Sequence, residues 1–336
     1  MRTPLEGVSM TTRFRSMSMA GATLVVGVSL ATAGCGKYSL GALKAQKSMK
    51  DANLQYAAQD WKKAADLYED VLKNKPDYHE AQFYLANSYD NLYKPTRKGE
   101  AENDGYMNKA IEHYQLAAER DPGPNKKLAM QFLVAAYGAD KLADPGKAEP
   151  VVKKMIEMEP NEPTNYFGLS KLYEDAGRYD EAEQALLKAK EVKPNDPLVY
   201  TTLSGYYNRQ GDFDKTIENL EKAAELDAKN PQGFHLIATF YEEKVRKDFR
   251  LAPPQKKDYS LKGIEAEDKA LSLNPNYVDA MVVKNILLRH EANAETDRAK
   301  QAQLIKEADD LRTKAIALQK GAKAAEAQKP AAAPKK

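Results

Sequence analysis

One cysteine, one tryptophan and four histidines are all that 336 residues contain of those types. A lone cysteine excludes an internal disulfide, and histidines scattered as His79, His113, His235 and His290 leave too little for a zinc site, so no metal is expected. Charge of one sign is missing as well. Lysine plus arginine number 51 against 49 aspartates and glutamates, a net +2 that supplies no broad field for gripping nucleic acid. Beyond residue 34 no run of about 20 apolar residues could span a bilayer. A mean hydropathy of −0.68 with 42% hydrophobic residues excludes both a multi-span membrane protein and a wholly disordered chain.

The motifs of catalysis are absent too. His113 stands beside Glu112, but no second histidine follows four residues on, as a zinc-protease helix requires. Ser204 precedes Gly205 without the glycine two places before it that a nucleophile elbow needs, and there is no glycine-rich phosphate loop. The expectation is a non-enzyme without a cofactor.

The N-terminus reads as an address. Arg13 and Arg15 precede 19 uncharged residues, Ser16 to Gly34, whose most apolar part is short and rich in Gly, Ala, Ser and Thr. Cys35 follows directly after Ala33 and Gly34. This resembles a bacterial lipoprotein signal, although Thr32 stands where leucine is usual. The resemblance implies cleavage before Cys35, a diacylglycerol on its thiol and usually a further acyl chain such as palmitate on its amino group. An uncleaved anchor and an ordinary secretory signal remain as alternatives. Removing residues 1–34 takes Arg2, Arg13 and Arg15 from 51 and Glu6 from 49, leaving 48 against 48.

A repeat runs through the body. Tyr166, Leu169, Ser170, Tyr173, Gly177, Ala182, Leu186 and Ala189 recur 34 residues later as Tyr200, Leu203, Ser204, Tyr207, Gly211, Thr216, Leu220 and Ala223. Apolar residues at i, i+3 and i+7 make one face of each of two helices, glycine makes the turn between them, and small residues permit close approach. Each unit is therefore a helical hairpin with an open apolar face. Trp61, Ala64 and Tyr68, then Leu85, Ala86 and Tyr89 with Ala110 and Tyr114, then Leu133, Tyr137, Ala148 and Val152 continue the pattern upstream.

The period and the residue order resemble the tetratricopeptide repeat. The resemblance implies an all-α, right-handed superhelical solenoid of about six hairpins over 45–275, with capping helices over 276–318. A linker over 35–44 and a disordered Ala/Lys/Pro tail over 319–336 flank it. The consensus tyrosines are expected in the core. Stacked first helices of this family line a concave groove that takes a protein or peptide. Carried over, that groove holds Phe83, Asn87, Asp90, Gln131, Phe167, Lys171, Glu174, Asn208, His235 and Glu242. Phe83 and Phe167, which the consensus does not require, are the candidate aromatic anchors, with packed core side chains as the alternative.

Spacing locates two insertions, around Lys94 to Gly105 and around Lys244 to Lys257, each between the two helices of a hairpin. The second carries Lys244, Arg246, Lys247, Arg250, Lys256 and Lys257 against Asp248 alone, a basic surface for anionic lipid or an acidic partner, or else a solvated helix extension. The combined expectation is a lipoprotein on the periplasmic side of the outer membrane, scaffolding envelope assembly. An accessory subunit that positions an envelope enzyme, such as one making or exporting polysaccharide, is the alternative.

Overall fold

The periodic segments fold into paired helices joined by tight turns. The computed structural model describes residues 40–327, with side chains to 321, so the signal segment and Cys35 lie outside the described residues. Seven hairpins follow in chain order. They are α1 (Leu40–Ala57) with α2 (Trp61–Asn74), α3 (His79–Leu92) with α4 (Ala101–Arg120), α5 (Asn125–Tyr137) with α6 (Pro145–Met158), and α7 (Pro163–Asp175) with α8 (Tyr179–Val192). Then come α9 (Pro197–Gln210) with α10 (Phe213–Leu226), α11 (Pro231–Lys247) with α12 (Pro253–Leu273), and α13 (Val278–Ala294) with α14 (Arg298–Ala327). No strand occurs among the described residues. The chain is an all-α solenoid of stacked hairpins in which each helix packs chiefly on its chain neighbours.

Local chemistry sets the helix ends. Glu162, Asp196 and Asn230 cap the first helices α7, α9 and α11 through side-chain oxygens, each followed by a proline whose fixed φ suits the first helical position. Asp60, Asp144 and Asp212 cap the second helices α2, α6 and α10 in the same way. Two residues before each of α2, α6, α8 and α10 the backbone turns left-handed. Gly177 and Gly211 do so without strain, whereas Gln59 (φ 60) and Ala143 (φ 54) carry a Cβ there.

The apolar interior is divided. One continuous core runs from Ala45 to Ala223 and contains the consensus tyrosines Tyr68, Tyr89, Tyr114, Tyr137, Tyr173 and Tyr207. A second gathers Ile217, Leu220, Ile237 and Tyr241, and a third joins Leu288 and Ala292 to Leu304 and Ala308. Gly263 lets α12 settle against α11 and α13, since a Cβ there would lie 2.7 Å from Leu287 Cδ1 and 3.2 Å from Tyr241 Cβ.

The sequence boundaries shift at both ends. α1 begins at Leu40, so helix replaces half of the expected 35–44 linker. α14 runs past Leu318 to Ala327, so residues 319–327 are helical where a disordered tail was expected. Alanine, lysine, glutamine and glutamate are strong helix formers and continue a helix already nucleated by its packed first half.

Candidate functional site

The first-helix face is bound together by side chains that cross from hairpin to hairpin. Tyr56 on α1 donates to Asn87 Oδ1 on α3 at 2.6 Å, and Asn87 Nδ2 donates to Tyr114 OH at 3.1 Å. Tyr114 donates in turn to Asp90 at 3.3 Å, and Lys141, just after α5, pairs with the same carboxylate. Burial and the Asp90 charge hold the Tyr114 hydroxyl far above its ordinary range. Farther along, Arg209 on α9 grips Glu174 on α7 with two parallel hydrogen bonds of 2.6 and 2.9 Å, the fork geometry in which arginine is strongest.

These links correct several groove assignments. Phe83 is 5% exposed and its ring meets Tyr84, Tyr114 and Phe132, so it is core and cannot anchor a ligand. The reason is packing from a neighbouring hairpin: α3 is buried on most of its sides, polar positions included, and Phe132 of α5 closes over Phe83. Asn87 and Asp90 are buried in the network just described. Glu242 is buried and accepts from Arg246 at 2.9 Å. Phe167 is half-buried against the main core. Gln131, Lys171 and Asn208 are exposed, Lys171 pairing with Asp175 on its own helix.

His235 binds Glu267 through Nδ1 at 2.7 Å, with the Tyr277 ring 5.0 Å from its own. Glu267 occupies the place of a consensus aromatic and is fully buried, with Oε2 lacking a partner. Burial pushes its carboxyl up to about 7, against the downward pull of His235. Burial likewise lowers the pKa values of His113, which contacts Gln82, and of His290.

The insertions become ordered structure. Around Lys94 a 3-10 turn (Pro95–Arg97) leads into an extended α4, with Asn103 bridging both backbone groups of Lys94 at 2.8 and 3.1 Å. The basic stretch is a helix extension, with most of its charge spent internally. Lys244 and Arg250 share Asp248, Arg246 and Lys247 pair with Glu242 and Glu243, and Lys257 reaches Glu295 at 2.9 Å. Lys256 is half-buried. At the tip Phe249 is 88% exposed.

One arrangement had no separate signal in the sequence. Tyr89, Tyr173 and Tyr207, one on each of three first helices, donate to Glu69, Glu149 and Glu183 on the preceding second helix. A cation lies over each ring, Lys109 at 4.6 Å, Arg178 at 4.2 Å and Lys215 at 4.6 Å, and pairs with the same glutamate. Each such staple joins the second helix of one hairpin to the first helix of the next and to its second helix, or for Arg178 the turn before it, through a charge-assisted bond and a cation–π contact. The glutamates at Glu149 and Glu183, 34 residues apart, were the only visible trace.

Parts of the stack are similar to a known repeat family. Residues 50–124, 141–204 and 198–230 each match a tetratricopeptide repeat. These three segments are similar to tetratricopeptide repeats. Among solved structures, the chain is similar in fold to the C-terminal part of a TPR repeat-containing protein from Cytophaga hutchinsonii, at 14% identity and a TM-score of 0.53. That match covers 80% of this chain and 98% of the other. MamA from Desulfovibrio magneticus RS-1 is similar at 16% identity and a TM-score of 0.42, over 55% of this chain and 96% of the other. YrrB, a TPR protein with an unusual peptide-binding site, is similar at 18% identity and a TM-score of 0.38, over 57% and 91%. No curated protein sequence matches the array. Among the described residues no three His, Cys, Asp or Glu side chains gather as a metal site, and no helix is long and apolar enough to cross a membrane.

Proposed function

We propose that the chain is a non-catalytic protein-binding scaffold, tethered through acylated Cys35 to the inner leaflet of a bacterial outer membrane and facing the periplasm. The observation that carries the scaffold reading is the cross-linking of neighbouring hairpins along the first-helix side by Tyr56–Asn87, Lys141–Asp90 and Arg209–Glu174. A surface fixed before its partner arrives loses little conformational entropy on binding, which favours recognition of a partner. Gln131, Lys171 and Asn208 are the groove residues left open to a protein or peptide ligand.

The tether rests on the Ala33-Gly34-Cys35 sequence after an uncharged segment. Two or three acyl chains at about 0.8 kcal/mol per buried methylene hold stably where one does not. With α1 starting at Leu40, the array would stand within a few residues of the bilayer. The test is metabolic labelling with an acyl-chain analogue combined with pull-down. Parent protein should incorporate label and retain a partner, Cys35→Ala should lose the label, and a Lys171→Glu/Asn208→Lys variant should lose the partner while melting normally. Label retained by Cys35→Ala would refute the anchor, and a partner retained by the double variant would refute the groove.

A further inference from the structure

The junction between α10 and α11 has no staple. Ile217 occupies, 34 residues on, the place of Glu183, and Tyr241 that of Tyr207, so Tyr241 has no carboxylate partner and no cation over its ring among the described residues. Gly263 lets α12 pack closely on α11 and α13, and α11 lies between α10 and α12. A cleft of about 1010 Å³ opens between them on the second-helix face, opposite the face on which the scaffold reading rests. That volume is at the upper end of what small-ligand pockets enclose and suits an inserted peptide segment.

The lining has two chemistries. Ile217, Phe234, Ile237 and Tyr241 form an apolar floor, with Phe213 and Tyr259 closing one end. The rim is acidic. Asp214, Glu218, Glu221 and Glu265 are exposed there and form no ion pair among the described residues, while Asp268 is held by Lys284 at 2.7 Å and Glu225 by Lys222 at 2.9 Å. Of the two rim lysines, Lys262 is engaged by Asp258 at 3.0 Å and Lys269 lies 5.9 Å over the Phe234 ring. Four unpaired carboxylates around a cleft floored by largely buried apolar side chains define an occupant that is cationic at its flanks and apolar at its centre.

We propose that this cleft is a second docking site, taking a segment of a partner protein in which lysine or arginine flanks an aromatic or branched apolar side chain. The apolar side chain seats on Ile217, Phe234 and Tyr241, and the cations meet Glu218, Glu221 and Glu265. The occupant thus supplies in trans the cation that Lys109, Arg178 and Lys215 supply at the stapled junctions.

The probe is a displayed random dodecapeptide library selected on the full chain. Enriched peptides should combine Lys or Arg with a central apolar residue. A synthetic copy of the leading peptide should bind at least tenfold more weakly to Glu218→Lys/Glu221→Lys/Glu265→Lys, which alters only exposed side chains, and to Ala266→Trp, which fills the cleft without removing core. Binding should weaken as salt is raised. Failure to enrich any peptide, enrichment without cations, or binding indifferent to both variants would overturn the proposal. Two other occupants are tested alongside. Deleting residues 328–336 should leave affinity unchanged, and a tenfold gain would make the chain's own lysine-bearing end the occupant. Sedimentation should show a monomer, and a dimer dissolved by the triple reversal would make it a second copy.

Discussion

Tyr207 donates a 2.6 Å hydrogen bond to Glu183, so the first helix of one hairpin is fastened to the second helix of the hairpin before it. Lys215 lies over the same ring and reaches the same carboxylate at 3.2 Å, so a third helix joins. Tyrosine at this consensus position therefore does more than fill space. Its hydroxyl ties α9 to α8. Removing that bond with Tyr207→Phe should cost about 1 kcal/mol, read by chemical denaturation, because the ring still packs while Glu183 keeps Lys215 and water.

The staples give stability an acid dependence. Hydrogen bonds from Lys153 and Arg178 hold Glu149 down to about 2, and those from Tyr207 and Lys215 lower Glu183. A carboxyl with a depressed folded value stabilises the fold above its ordinary 4.5 and loses that contribution as pH falls through the folded value. Glu149→Gln/Glu183→Gln should therefore flatten the decline of melting temperature between pH 5 and pH 2. A parent-like slope would place the acid sensitivity elsewhere.

Glu267 acts with the opposite sign. Its folded value of about 7 lies above the ordinary 4.5, so the fold favours the protonated acid and loses stability as pH rises from about 4.5 through 7. Glu267→Gln retains a partner for His235 without the buried charge. The variant should melt above the parent at pH 8 and converge with it near pH 4.5.

Backbone geometry separates two kinds of turn and two kinds of glycine. Ala143 sits at φ 54, where Gly177 and Gly211 sit in the neighbouring hairpins, so Ala143→Gly should raise stability by about 1 kcal/mol. Within helices, Gly168→Ala meets nothing within 4 Å and should also gain about 0.5–1 kcal/mol. Gly263→Ala should lose about 1–3 kcal/mol, because its new methyl meets the buried Leu287 and Tyr241. Thermal melts of the three variants check both signs.

Phe83→Ala should cost about 3–5 kcal/mol of folding stability, the price of emptying a site ringed by Tyr84, Tyr114 and Phe132. Cutting after Leu318 should leave the melting temperature unchanged, since Ala315 is the last buried residue among those described, but should lower the helical circular dichroism signal.

Hairpins were legible in the sequence wherever the consensus glycine was present, because Gly177 and Gly211 punctuate an otherwise periodic pattern. At Gln59 and Ala143 the same left-handed turn carries no glycine, and only the flanking helix periodicity reveals it. The groove was less legible. Position in the repeat gives the side of the helix a residue occupies, but Phe83, Asn87 and Asp90 are covered by neighbours from other hairpins, which the repeat offset does not encode. The cleft was invisible for a related reason. It arises from what α10, α11 and α12 each lack, Glu at 217, a cation over Tyr241 and a side chain at 263, and such coincident absences carry no periodic signal.

The division of the apolar interior also has a mechanical side. The main core ends at Ala223, while the hairpins beyond are held by two smaller apolar bodies and, at the first of those junctions, by no staple. A chain pulled from its two ends would not stretch evenly. It would give way first between α10 and α11, like a zip with a missing tooth, and a force–extension trace should show the last two hairpins peeling away before the larger N-terminal block yields. Whatever is tethered near Leu40 would then stay folded under loads that have already opened the far end.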